Sequence, residues 1–106
     1  MNECQVITTV GDRETAMRIA RELVERGLAA CVQVIGPLAS TYRWQGQIEV
    51  AEEWMCVAKS RQELYHDLEQ AILEAHPYDV PEILAVPISD GHEPYLRWLN
   101  ESLQRE

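Results

Sequence analysis

Seven consecutive residues, His76-Pro77-Tyr78-Asp79-Val80-Pro81-Glu82, set an imidazole, a phenol and two carboxylates among two prolines. Imidazole and carboxylate are cation ligands, and a run this polar is a candidate site rather than a mere connector. Proline cannot continue a helix and drives its predecessor toward extended backbone. His76 is therefore expected at the last turn of a helix and Glu82 at the start of the strand that follows. A plainer reading stays open, in which Pro77 only ends the helix and His76 rests at the negative end of its dipole with nothing bound.

The other reactive side chains are scattered. Cys4, Cys31 and Cys56 are odd in number and lack CxxC spacing, so neither a disulfide framework nor a zinc knuckle is expected, and the thiols should be reduced. Cys31 and Cys56 lie inside apolar runs and read as buried core. A Cys31–His76 nucleophile pair lacks a third orienting group, and a thiol in an apolar strand has its ionisation suppressed, so no enzyme is expected. His66 falls among polar neighbours on a helix and His92 in a loop, which leaves both as exposed bystanders.

The rest of the chain must position these groups. At 106 residues, 46% of them hydrophobic, it is expected to form one domain, 1–106, burying roughly 60 to 65% of its unfolded surface. Nine Lys+Arg against eighteen Asp+Glu give a formal charge of −9, which repels phosphate backbones and argues against nucleic acid and anionic membranes. Met1-Asn2-Glu3 has no basic start, and no stretch of about 18 apolar residues occurs, so a cytoplasmic location is the default expectation.

Gln5 to Val10 reads as a strand, and Asp12 as the N-cap of a helix whose apolar positions are Ala16, Ile19, Ala20, Leu23 and Val24, with Gly27 as a left-handed C-cap. Leu28 to Ile35 is almost continuously apolar and is expected to be a central strand stopped by Gly36-Pro37. Ser40 to Lys59 reads as a hairpin turning at Gly46, with a polar, projecting near half and a buried far half. Ser60-Arg61-Gln62-Glu63 fits a capping box for a second helix carrying Leu64, Leu68, Ala71, Ile72 and Ala75. Glu82 to Ile88 is a strand whose Pro87 implies an edge, and Pro94 opens a C-terminal helix with Tyr95, Leu96, Trp98, Leu99 and Leu103 on its apolar face. Right-handed crossovers then give an α+β, ferredoxin-like βαββαβ antiparallel sheet with two helices on one face plus a C-terminal helix. The bare second face calls for a partner, and self-association is the commonest solution.

Four ordered segments, Gly27-Leu28-Ala29-Ala30-Cys31-Val32, Tyr42-Arg43-Trp44-Gln45-Gly46, His76 to Ile83, and Tyr95-Leu96-Arg97-Trp98-Leu99, resemble the CutA1 divalent-ion tolerance family. The resemblance runs from about Val6 to Leu103. It implies a homotrimer whose hairpin arms, residues 40 to 58, pair across subunits and leave clefts between neighbouring chains. Carried over by position, Cys31, His76 and Glu82 would be the metal ligands, and Tyr42, Trp44, Lys59 and Tyr78 would line the cleft. Thiolate and imidazole suit copper or another borderline-soft divalent cation, with Glu82 compensating charge. Thr8 stands where a further thiol would have helped, and any site should be shared between subunits or be of modest affinity. Lys59 opposes a cation and keeps open a sensor of anionic small molecules, like the PII signalling trimers. Trp54 and Trp98, with Tyr42 and Trp44, are expected mainly as interface packing.

Overall fold

Asp12 starts the first helix as its sequence position suggests: its carboxylate accepts a hydrogen bond from the Thr15 amide at 2.9 Å and others from the Thr15 hydroxyl. In the computed structural model, which describes residues 2–104, the strand β1 (Glu3–Val10) precedes this helix, α1 (Arg13–Glu25). Gly27 closes α1 at φ +70°, with its own amide on the Val24 carbonyl and the Leu28 amide on Leu23, a Schellman motif. The long hairpin β2 (Cys31–Trp44) and β3 (Gln47–Arg61) follows, turning at Gln45 and Gly46, both at positive φ. A short 3-10 turn (Gln62–Leu64) leads to α2 (Tyr65–Ala75), then to β4 (Ile83–Pro87) and α3 (Glu93–Glu101) with Pro94 in its first turn.

The four strands form one antiparallel sheet in the order β2-β3-β1-β4, the order of the expected ferredoxin-like arrangement. Two sequence expectations are corrected. β2 is an edge strand, not a central one, because its hairpin partner β3 takes the place beside β1. Nor does Gly36-Pro37 stop it. The chain absorbs this pair as a bulge, with a cis peptide bond, between the pairs Ile35–Met55 and Leu38–Glu53. Gly36 is required there because a Cβ would lie 2.6 Å from the Trp54 ring. Trp54 itself packs, partly buried, against Val10, Ala16 and Cys56.

The expected capping box does not form either. Ser60 stays in β3 opposite Cys4, fully buried, and its hydroxyl donates to the Leu28 carbonyl at 2.8 Å. Glu63 instead accepts from the Asn2 amide. The neighbouring carbonyl outcompetes the helix because Ser60 points into the covered side of the sheet, where an unmet polar group is costly.

Register sorts every strand residue onto one of two faces. Cys4, Val6, Thr8 and Val10 of β1 and Trp54, Cys56, Ala58 and Ser60 of β3 face α1 and α2, which contribute Ile19, Leu23, Leu68, Ala71 and Ile72 to the core. Thr8 is buried there, and its hydroxyl has no hydrogen-bond partner. The alternate residues, among them Cys31, Ile35, Glu53, Met55, Lys59, Thr9 and Leu84, face the other way. α3 covers only one end of that side, through Asn100 on Glu3, Arg61 on the Gln104 carbonyl and Tyr95 on Cys31. The remainder is bare, leaving Ile35, Leu84 and Val86 about half exposed. Every residue from Thr41 to Val50 is exposed, so the polar half of the hairpin does project from the core.

Candidate functional site

The structure gathers the sequence-selected residues, Trp44 excepted, into two groups at opposite ends of the bare face. The first group is built around the run that follows α2. Pro77 forbids another helical turn, so His76 takes extended backbone (φ −87°, ψ 134°) and its ring turns onto the end of β1. Its Nε2 lies 2.7 Å from the Thr9 carbonyl oxygen, and the Tyr78 amide donates to its Nδ1 at 3.1 Å. A carbonyl can only accept, so Nε2 carries the hydrogen and Nδ1 offers its lone pair to Tyr78. Both ring nitrogens are thus engaged, and His76 is buried.

Tyr78 folds back over His76, ring centroids 4.8 Å apart, and its hydroxyl donates to Glu53 Oε2 at 2.9 Å. Burial and this carboxylate push the Tyr78 hydroxyl up to about 12, with Tyr42 and Asp12 adding smaller electrostatic contributions. Tyr42 therefore belongs to this end, on the stem of the arm opposite Glu49. Glu82 reaches the same place from the other side, its Oε1 at 3.5 Å from the Thr9 hydroxyl.

The second group lies at the other end. Cys31 and Lys59 are direct cross-strand partners. The Cys31 sulfur is 3.6 Å from the Tyr95 hydroxyl, a contact that together with burial raises the pKa of the tyrosine. Lys59 Nζ donates to Gln33 Oε1 at 2.6 Å. Cys31 is half-buried rather than core, because its phase along β2 turns it away from the helices; Cys4 and Cys56 are buried, and burial pushes the Cys56 thiol up to about 11. Glu53 and Lys59 are six residues apart on β3, roughly 20 Å at the usual strand rise. Trp44 belongs to neither group: it pairs with Gln47 at the exposed tip of the arm.

One chain therefore brings His76, Tyr78 and Glu82 together, with Tyr42 nearby, and separately Cys31 with Lys59. Among the described residues no three His, Cys, Asp or Glu side chains cluster as a metal site. His66 and His92 are exposed and apart. Sequence reasoning missed Glu53, Thr9, Gln33 and Tyr95. Glu53 shares the strand phase of Lys59, six residues away, and that periodicity was a usable signal. Tyr95 was visible only as one apolar position of a helix.

The His76 to Glu82 run, the ferredoxin-like order and the long projecting hairpin agree with the comparison that decides the family: residues 4–102 match the family described as CutA1 divalent ion tolerance protein. The chain belongs to the CutA1 family. It is 42% identical over 97 residues to the divalent-cation tolerance protein CutA of Thermus thermophilus, covering 92% of this chain and 94% of that protein. The solved Thermus thermophilus CutA1 structure superposes with a TM-score of 0.94 at 41% identity, over 96% of this chain and 99% of that one. The periplasmic divalent cation tolerance protein CutA from Archaeoglobus fulgidus gives a TM-score of 0.93 at 34% identity, over 96% and 99%. The chloroplastic CutA of Arabidopsis thaliana is 38% identical over 92% of this chain, which spans only 53% of that protein's length. Membership in this CutA1 family assigns the chain to divalent-ion tolerance as its general function.

Proposed function

We propose that the protein is a non-catalytic homotrimer that binds divalent cations, copper among them, in clefts between subunits, and so contributes to metal-ion tolerance. The observation that carries this reading is the division of the candidate ligands between the two ends of a bare apolar face. Cys31 supplies a soft sulfur at one end and Glu82 a carboxylate at the other, too far apart for one ion but suited to meet across a subunit boundary. Both sheet edges, the outer sides of β2 and β4, are unpaired among the described residues. The otherwise polar arm carries exposed apolar side chains on both sides, Tyr42 and Trp44 on one and Ile48 and Val50 on the other, all at least 44% exposed. Head-to-tail contacts that close into a ring cover two different surfaces of each subunit, which suits an arm of this kind. The number three comes from the family resemblance.

The fit to a metal is incomplete within one chain. Thiol, imidazole and carboxylate are the right donors for a borderline-soft cation, but His76 has no free lone pair and Cys31 lies at the far end. A closed site requires residues from two chains. The net charge of −9 favours cations at the surface, and three free thiols support a reducing, cytoplasmic setting.

Light scattering should give the mass of three chains. Calorimetric titration of the metal-free protein with Cu²⁺, with Zn²⁺ and Mg²⁺ as competitors, should show stoichiometric binding that Cys31→Ala or Glu82→Gln weakens at least tenfold. Weak, non-stoichiometric binding indifferent to both substitutions would remove the copper reading. One observation favours a second reading: Lys59 is the cross-strand partner of Cys31, and its ammonium, on Gln33 Oε1, suits an anionic small molecule, as in a PII-like sensor. Inorganic phosphate and small carboxylates binding in a manner abolished by Lys59→Ala would establish it.

A further inference from the structure

Four residues at the first end of the face form one continuous hydrogen-bonded chain: Glu53 accepts from the Tyr78 hydroxyl, the Tyr78 amide donates to His76 Nδ1, and His76 Nε2 donates to the Thr9 carbonyl. His76 and Glu53 are buried, at 9% and 8% exposure, and Tyr78 is the exposed member at 41%. The ring nitrogens are not equivalent in what releasing them requires. Nε2 carries a hydrogen and has no lone pair to give while it faces a carbonyl. Nδ1 has the lone pair, but the Tyr78 backbone covers it, and Tyr78 is tied down at its far end by a carboxylate. The longer bond of the two, 3.1 Å against 2.7 Å, is the one at Nδ1.

We propose that Glu53 and Tyr78 are positioning residues that act as a latch on His76: while the Tyr78 hydroxyl is held by Glu53, the imidazole is withheld from any external cation, and opening the latch exposes Nδ1. This rests on the cation-binding reading above and refines it, because it makes His76 a conditional ligand rather than a standing one. It also gives Glu53 its place. A buried carboxylate that accepts a phenol is a strong tether, since hydrogen bonds to charged acceptors exceed neutral ones.

The experiment compares the full-length protein with Tyr78→Phe, Glu53→Ala and Glu53→Gln. Long-range ¹H–¹⁵N spectra of the His76 ring read the latch without metal, and Zn²⁺ is the diamagnetic probe titrated by calorimetry and by the same spectra. The wild-type ring should show the Nε2–H tautomer, and Zn²⁺ should leave its nitrogens in place. Tyr78→Phe and Glu53→Ala should shift Nδ1 before metal is added and then bind Zn²⁺ about tenfold more tightly, with Nδ1 moving on binding, the change expected from losing one charge-assisted hydrogen bond. Glu53→Gln keeps a neutral, weaker acceptor for the phenol and should fall between wild type and Glu53→Ala in both readouts, a graded response that a merely structural role for Glu53 does not predict. The proposal is overturned if Zn²⁺ moves the ring nitrogens equally in wild type, or if the two opening variants leave spectra and affinity unchanged. Neither result touches copper binding by wild type through Cys31 and Glu82. Absence of Zn²⁺ and Cu²⁺ binding in every variant, wild type included, overturns both this proposal and the copper reading.

Discussion

The two faces of the sheet are made from alternate residues of the same strands, yet they have opposite characters. On the helix-covered face the side chains of one phase are closed off, Cys4, Val6 and Ala58 in one cluster with Leu68, Ala71 and Ile72 and Cys56 in another with Ala16. On the other face the next residues in each strand hold nearly all the chemistry: Thr9, Glu53, Lys59 and Cys31, with Ile35, Leu84 and Val86 left half exposed around them. The same residue type has a different role one position along. Cys56 is an inert core thiol and Cys31 a half-buried one against a phenol. Thr8 is buried without a hydrogen-bond partner, while Thr9 engages His76 through its carbonyl and Glu82 through its hydroxyl. Strand phase, more than residue type, separates structure from function here.

The largest test of this contrast is stability. Leu68→Ala removes a fully buried side chain from the covered face and should lower unfolding free energy by about 2–5 kcal/mol at any protein concentration, measured by urea denaturation. Leu84→Ser, on the bare face, should produce a loss that grows on dilution, as expected where association supplies the stability. A Leu84→Ser loss independent of concentration would break the contrast.

The alkaline limb of stability sharpens it at the loop end. The Tyr78 hydroxyl is pushed from its ordinary value near 10 up to about 12 by burial and the Glu53 carboxylate. A group whose pKa rises on folding contributes fully below its unfolded value and loses that contribution as pH climbs through the folded one. The melting temperature of wild type should therefore fall between about pH 10 and pH 12 more steeply than that of Tyr78→Phe. Parallel curves would mean that the phenol is not held in solution as it is in the structure.

The smallest effect is kinetic. Cys31 should react first with a thiol reagent, and Cys4 and Cys56 only on unfolding, because burial raises both of their pKa values and hides their sulfurs. Peptide mapping after partial alkylation reads the order directly. Reaction at Cys56 before Cys31 would reverse the assignment of faces.

Much of this was legible in the chain. Asp12, Gly27, the Gln45-Gly46 turn and Pro77 act through local backbone chemistry, and each does in the structure what its neighbours in sequence dictate. What could not be read depended on distant competition. The apolar run before Gly36 looked doubly covered, but nothing local says that β3 rather than β2 lies against β1. Ser60 looked like a cap, but the Leu28 carbonyl, 32 residues away, claims its hydroxyl. The His76 run was recognisable as a site by its composition, whereas its bonding to Glu53 and Thr9 required the register of three strands.

The bulge at Gly36-Pro37 has a consequence for how this molecule can be redesigned. It places two residues of β2 opposite the single Trp54, and pairing is regular on either side, from Cys31–Lys59 to Ile35–Met55 and from Leu38–Glu53 to Trp44–Gln47. A chain lacking Pro37 would keep every one of those pairs and the same two-residue turn, and would lose only the local bend and added twist that a bulge imparts. Aim and composition of the arm are therefore separable. One deletion near the base would redirect the tip, with Trp44 and Ile48, through space while leaving its own surface unaltered, which makes this short segment the elevation screw of the whole projection.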